Sequence, residues 1–589
     1  MKSLLARYKY DIVFLILITI IFSVLSFLFS EYYVNMLIDT GREAYLPELM
    51  LKGKLLYKDL FNIFGPLAYQ VNTFLYETFG NKLSTLGIAG NICSVLILYS
   101  TYFISRMFFS TKLSICTLFL VLVTCVFSPS VFNFIYPYSY SLVYSYAAFM
   151  WSVLLFLVAF KNRQNNISFY LLGSYFLMGI SLSAKIEYLP FALMLILYSV
   201  FVYKQSLLKI AVNILVMLIV PLICYSYLFY QGVTINDFMN NFYYLKKYAS
   251  SPTLHYFYSH HVGTMFSFAL FKKIVLPEFF KTFLFIVVYG LSYVAVAQST
   301  DKPKIIKPEY IVMLVGLFCY KLVNPLQLYT LVPYIIYSIF IYKVIIKIRN
   351  KQFDIKNDIF FAFITISIIS MLKTAFILDI REYGSFTITF SMITILVFIL
   401  NNLPKFEINL LRKDIENLLS TFLVIFTIAF IPLQYNFVYD TLQINSEKAV
   451  FHLYPSTARY MNEIFDYIRE NVKQNESVLL VPEGSFVNYA TNLDMKLYNY
   501  QSLMPPYIDT FGIDKIIKDI DSAKIDYIIL SPRSLDEYSD GYVMCAINPK
   551  YEENATQRLE EKQFCDYIKS AYDVMYVKDY IAILKNKNK

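Results

Sequence analysis

The chain has 589 residues, 58% of them hydrophobic and only 16% charged, with a net charge of +9. A water-soluble globular chain carries about 25% charged residues, so these values exclude a soluble enzyme, a disordered regulator and a nucleic-acid binder. The apolar residues form continuous runs about as long as a hydrocarbon core of ~30 Å requires of a helix, which predicts helical spans rather than the alternating strands of a transmembrane barrel.

The first run, 12–29, follows Lys2, Arg7 and Lys9. It is too long for a signal-peptide core, and no small-x-small site follows in Ser30-Glu31-Tyr32-Tyr33, so it reads as a retained span with its N-terminus inside. Further runs lie at 86–105, 113–128, 140–160, 167–183, 187–203, 208–229, 279–298, 309–322, 326–342, 358–378, 384–401 and 416–434, about 13 spans in all, with 309–322 the weakest. Alternating these from an inside N-terminus puts about 20 Lys and Arg in inside segments, against three (Lys185, Lys321 and Arg381) in short outside loops, as the positive-inside rule expects. An odd number of spans places the C-terminal segment outside.

Three segments are too long for simple connections: a first outer loop at 30–84, a second at 231–278, and 436–589. In the last, the helical pattern of STARYMNEIFDYIREN alternates with short apolar strands at 477–481, 526–530, 574–577 and 580–584. The expected fold class is therefore an α-helical polytopic membrane module, 1–435, followed by a soluble outer-face α/β domain, 436–589. No G-x-G-x-x-G and no P-loop occurs, so a nucleotide-sugar site is not expected. Five of the seven cysteines lie in apolar runs; Cys545 and Cys565 stand alone in the C-terminal segment, where an oxidising compartment would allow a disulfide.

The chemistry-bearing residues gather at outer ends of spans. Asp39, Arg42 and Glu43 fall within five residues just after the first span. A half-desolvated carboxylate beside a hydroxyl can serve as a general base, and an arginine fork suits a phosphate; polar residues that merely end a span and meet headgroups are the plainer alternative. Lys185 and Glu187 lie in SAKIEYLP, and Arg381 and Tyr383 in LDIREYGS. Ions at a membrane boundary are functional candidates by default, although each could pair within its own loop. His255, His260 and His261 sit in the second outer loop. Adjacent histidines diverge on a regular element, so an aromatic loop that covers a substrate or meets headgroups is the favoured reading over a metal site. Pro482-Glu483-Gly484 is a strand-to-helix turn that could line a binding edge; the favoured reading is that it only makes a tight turn.

The string DTGREAYLPELMLKGKLLYKDLFNIFGPLAYQVNTFLYETFG resembles the first outer loop of polytopic GT-C glycosyltransferases, the superfamily that includes protein O-mannosyltransferases and bacterial lipid A aminoarabinose transferases. The resemblance implies Asp39 as catalytic base, an amphipathic juxtamembrane helix at about 44–52, a second aspartate at Asp59, and a Gly65-Pro66-Leu67-Ala68-Tyr69 element. The lone Asp39, where relatives carry an Asp-Glu pair, leaves Glu43 as the candidate second carboxylate. The Lys185-x-Glu187 and Arg381-x-Tyr383 patches also resemble relatives, which implies that Arg42, Asp59, Lys185, Glu187, Arg381 and Tyr383 contact donor phosphate or substrate. The implied activity is an inverting hexosyl- or pentosyltransferase in a bacterial inner membrane. Its donor would be a polyprenyl-phosphate sugar and its acceptor a cell-envelope glycan or glycolipid, with no nucleic acid involved. No cofactor or metal ligand set is implied with certainty; Asp39, Glu43 and Asp59 could hold a divalent cation. The alternatives are a transporter or flippase of lipid-linked or small solutes, and an O-antigen ligase or polymerase-type enzyme.

Overall fold

A computed structural model describes residues 2–128, 130–161, 167–298, 312, 316, 329–350, 358–402, 412–439, 441–531, 544–548, 558–579 and 581–588. Each expected apolar run within them is mainly helical, except that the helix of the 358–378 run ends at Ser370 and the chain goes on in turns through Lys373. Seven helices are long and apolar enough to cross a membrane, beginning with Asp11–Tyr33 and ending with Arg412–Pro432, and five shorter apolar helices fill the remaining expected positions. The expected span at 309–322 lies outside the described residues apart from 312 and 316.

The helices in chain order are α1 (Lys2–Phe29), α2 (Asp39–Leu51), α3 (Leu67–Phe79), α4 (Leu83–Arg106), α5 (Thr111–Val121), α6 (Tyr140–Lys161), α7 (Ile167–Ala184), α8 (Leu189–Leu197), α9 (Leu207–Tyr230), α10 (Ile235–Ala249), α11 (Pro252–Phe257), α12 (Leu276–Gln298), α13 (Val332–Arg349), α14 (Ile359–Ser370), α15 (Ile388–Asn402) and α16 (Arg412–Tyr439). On α1, Leu15, Ile18 and Phe22 turn inward while Ile16, Ile20, Val24 and Phe27 are exposed. Such a wholly apolar outward face is stable only in lipid. Helix α6 is the centre of the bundle. It approaches α7 closely because small residues face each other: Ser145 and Ser181 hydroxyls meet at 2.8 Å and Ser152 and Ser174 at 2.9 Å. Small hydroxyl residues let membrane helices come near and satisfy each other's polar atoms.

The last apolar helix ends at Tyr439, and the hairpin β1 (Leu442–Asn445) and β2 (Val450–Leu453) opens the C-terminal domain. Then follow α17 (Pro455–Asn471), β3 (Val478–Val481), α18 (Ser485–Thr491), α19 (Pro505–Phe511), α20 (Ile513–Ala523), β4 (Tyr527–Leu530), α21 (Leu559–Ala571), β5 (Tyr572–Lys578) and β6 (Ile581–Asn586). The sheet order is β3-β4-β6-β5, with β3 and β4 parallel and the other pairs antiparallel. Every residue of β3 and β4 is buried, which explains their unbroken apolar runs. Cys545 and Cys565 form a disulfide.

The C-terminal domain, the 30–84 loop and the 231–278 loop meet at one end of the bundle. Tyr76 and Tyr489 hydroxyls are 3.2 Å apart, the Gln501 amide donates to the Phe61 carbonyl at 2.6 Å, and the Ser251 hydroxyl donates to Asp509 at 2.6 Å.

Candidate functional site

Asp39 is the first residue of α2, where unpaired backbone N–H groups favour a negative charge. One turn later, Arg42 Nη2 lies 2.7 Å from Asp39 Oδ1, and Arg42 Nη1 lies 3.7 Å from Glu483 Oε1 of the C-terminal domain. Burial opposes the Arg42 charge, but Asp39, Tyr507, Glu483 and Glu43 together hold it firmly protonated. Glu43 has no exposed surface. The Tyr140 N–H donates to its Oε2 at 2.8 Å and the Tyr69 hydroxyl to its Oε1 at 3.0 Å. Burial pushes the Glu43 carboxyl up to about 7, against the opposing pull of Arg42 and the two donors.

Helix α2 is not the surface helix that an amphipathic 44–52 segment suggests. Ala44, Tyr45, Leu46, Glu48 and Leu49 are all buried, because α18 of the C-terminal domain lies across it. Gly41 permits the approach: a Cβ there would sit 2.4 Å from the Phe486 Cβ and 2.3 Å from the Met36 carbonyl oxygen. Glu48 ties the two parts together, with Lys52 at 2.6 Å on one oxygen and Lys448 at 2.7 Å on the other.

A second centre forms where two motifs distant in sequence dock. The Gly65 N–H donates to the Ala184 carbonyl at 3.0 Å, and a Cβ on Gly65 would lie 2.1 Å from the Ser183 carbonyl oxygen. Only glycine fits there, and the contact brings Phe64 under Lys185, whose ammonium is 4.6 Å from the ring centre. Lys185 is buried, donates to the Tyr138 hydroxyl, and pairs with Glu187 at 3.2 Å. Lys373 reaches the same Glu187 oxygen at 2.6 Å and stands 3.6 Å over the Tyr383 ring. Two ammonium groups thus share one carboxylate inside an aromatic cage of Phe64, Tyr138 and Tyr383. Burial lowers Lys185 to about 7; Glu187 opposes that shift and Lys373 adds to it. Such a centre suits an added anion, which would supply the counter-charge the lysines lack. The two centres are neighbours: the charge of Glu43 acts on Lys185, and Tyr248 feels both Arg42 and Tyr383.

Of the residues singled out from sequence, Asp39, Arg42 and Glu43 form one centre, and Lys185, Glu187 and Tyr383 the other. Arg381 stands apart. It makes a two-pronged pair with Asp379, at 2.8 and 3.2 Å, and lines a separate cavity of about 300 Å³ with Met265, Phe271, Tyr334 and Phe376. Asp59 accepts the Leu55 N–H at 2.8 Å and closes its own turn. Asp39, Glu43 and Asp59 do not fit a shared cation: the first is tied to Arg42, the second is enclosed, and the third is committed to the turn. Among the described residues no group of three His, Cys, Asp or Glu side chains is arranged to hold a metal; the side chains of His260 and His261 lie outside the described ones. Two participants were not among the site residues expected from the sequence: Lys373, a lone lysine in an apolar run, and Glu483, whose turn read more simply as structural than as a binding edge.

No family model and no curated protein matches the chain. Among solved structures it is similar to ArnT from Cupriavidus metallidurans bound to undecaprenyl phosphate, at 12% identity and a TM-score of 0.42, covering 96% of this chain and 97% of that one. It is also similar to the Archaeoglobus fulgidus oligosaccharyltransferase in the apo form, at 12% identity and a TM-score of 0.41, covering 84% of this chain and 65% of that one. These are likenesses in the general course of the chain.

Proposed function

We propose that the chain is a membrane glycosyltransferase of the GT-C type, moving a sugar from a polyprenyl-phosphate donor to a cell-envelope glycan or glycolipid on the outer face. The observation that carries the reading is the docking of the Gly65-Pro66 element on the Lys185-x-Glu187 patch. An element of the first long loop meets a separate patch between α7 and α8 there, each marked by the resemblance, and Lys373 joins them to make a cationic centre.

In this reading Asp39 takes the proton from the acceptor hydroxyl as its oxygen attacks the anomeric carbon. The bond from that carbon to the phosphate oxygen breaks, and the electron pair leaves with the lipid phosphate. Lys185 and Lys373 meet the charge that develops there. A single displacement inverts the anomeric centre and needs no covalent intermediate. Arg42 holds Asp39, and enclosed Glu43 orients the start of α2 through Tyr69 and Tyr140. The absence of a P-loop or dinucleotide fingerprint fits a lipid-borne donor. Concentration of the ions at one end of the bundle, rather than mid-span, favours an enzyme over a transporter.

The test is Asp39→Asn in proteoliposomes supplied with a polyprenyl-phosphate-linked radiolabelled sugar and an envelope glycolipid. Transfer is expected to fall about 10²- to 10⁴-fold. A folded, inserted Asp39→Asn protein with full transfer would overturn the assignment.

A further inference from the structure

Helix α10 presents an apolar face that the rest of the chain leaves uncovered. The capping box of Thr234 and Asp237 starts it, directly after a turn in which Gly232 adopts a φ of 99°. One side packs inward. Asn241 clamps the backbone of Asn62 through bonds of 3.1 and 2.8 Å, Tyr244 packs on Phe511, and Tyr248 on Tyr507. The other side carries Ile235, Met239, Phe242 and Tyr243, each more than half exposed and spaced to form one stripe. The stripe continues into Lys246 and Lys247, both exposed, in the last turn.

Depth decides what covers that stripe. Phe238 of α10 packs on Tyr225 and Phe229 of α9, at 5.7 and 5.3 Å between ring centres. Helix α9 is a membrane-length helix ending at Tyr230. At ~1.5 Å per residue, Tyr225 lies roughly 8 Å below that end. An in-plane amphipathic helix sinks about 5–10 Å into the boundary between headgroups and acyl chains. The outward faces of α9 (Leu222, Ile223, Phe229) and α12 (Phe280, Phe283) are likewise exposed apolar surface on helices long enough to span.

We propose that α10 lies in the plane of the bilayer at its lipid–water boundary, with Ile235, Met239, Phe242 and Tyr243 among the acyl chains and Lys246 and Lys247 on anionic phospholipid headgroups. The helix then joins the membrane to the candidate site, since its inner side carries Tyr248 toward Arg42 and Tyr383.

Phe242→Trp in the full chain, with the single native tryptophan removed as Trp151→Phe, is placed in nanodiscs. Dibromo-phosphatidylcholine is expected to quench the introduced indole strongly and iodide weakly. A control protein carrying Met575→Trp instead, at an exposed position on β5, should behave the opposite way. Strong iodide quenching of the Phe242→Trp protein with no effect of brominated lipid would overturn the placement. Energy transfer from the α10 indole to dansyl-phosphatidylglycerol should exceed that to dansyl-phosphatidylcholine, by up to roughly fivefold per lysine. Lys246→Gln with Lys247→Gln should abolish the preference. Equal transfer to both lipids in the Phe242→Trp protein with both lysines intact would overturn the headgroup contact. None of these readouts depends on sugar transfer.

Discussion

Glu43 and Lys185 are two buried ionisable groups that burial pushes toward their neutral forms, and each predicts a pH dependence. The Glu43 carboxyl titrates near 7 in the folded protein, above its ordinary value of 4.5. The folded state therefore keeps a proton that the unfolded chain has lost between those two values, and stability falls as pH rises from about 4.5 to about 7. Thermal unfolding in detergent across that window should show the slope, and Glu43→Gln should flatten it. Lys185 is displaced the other way, from 10.5 to about 7, because burial penalises its charge. If it grips donor phosphate, the donor KM should rise above pH 7 in the free enzyme's titration. Lys185→Gln should weaken donor binding about 10- to 100-fold, the worth of a charge-assisted hydrogen bond. Lys185→Arg should hold the KM level to higher pH. A donor KM independent of both pH and these substitutions would remove Lys185 from the phosphate site.

At the scale of elements, α2 is the part on which the candidate chemistry turns, and it is gripped from both sides. Tyr69 of α3 and the Tyr140 N–H of α6 hold it through Glu43, while α18 covers it at Gly41. Glu483, at the mouth of α18, shares Arg42 with Asp39. The groups that face Asp39 or its arginine are therefore Arg42, Glu43, Glu483 and Tyr507. Glu483→Gln removes a carboxylate that pairs with Arg42, so the arginine should be held less firmly against Asp39. Transfer is expected to fall through kcat, with the donor KM little changed. A fall matched by an equal loss of thermal stability would mean that Glu483 serves packing alone.

At the scale of the molecule, the C-terminal domain contributes residues to the candidate site. Through Glu483, Lys448 and Tyr489 it reaches the two helices that the first long loop contributes. Its integrity should then limit transfer. The Cys545–Cys565 bridge closes a segment with a sequence separation of 20, a loop for which about 3 kcal/mol of stabilisation is typical. Cys545→Ser with Cys565→Ser should lower the domain's unfolding temperature, followed by limited proteolysis, and transfer should fail at that temperature while the bundle still resists protease. Transfer that outlasts domain unfolding would detach the domain from the reaction.

Much of this architecture was legible in the sequence because lipid enforces a simple code. Each span must be a continuous apolar run, so α4, α6 and α9 could be drawn within a few residues. The alternation of helical periodicity with buried strands likewise marked out the C-terminal domain. Local chemistry was legible where it sat on one short stretch, as with Asp39, Arg42 and Glu43, or Lys185 and Glu187. Only tertiary structure decided which stretches meet. Lys373 lies 186 residues from the Glu187 it pairs with, and Arg381, eight residues further on, turns to Asp379 instead. The amphipathic pattern of α2 was silent on whether lipid or another domain would cover it. That depended on a glycine at position 41 and a phenylalanine at 486, hundreds of residues apart, which fit together because neither leaves room for anything between them.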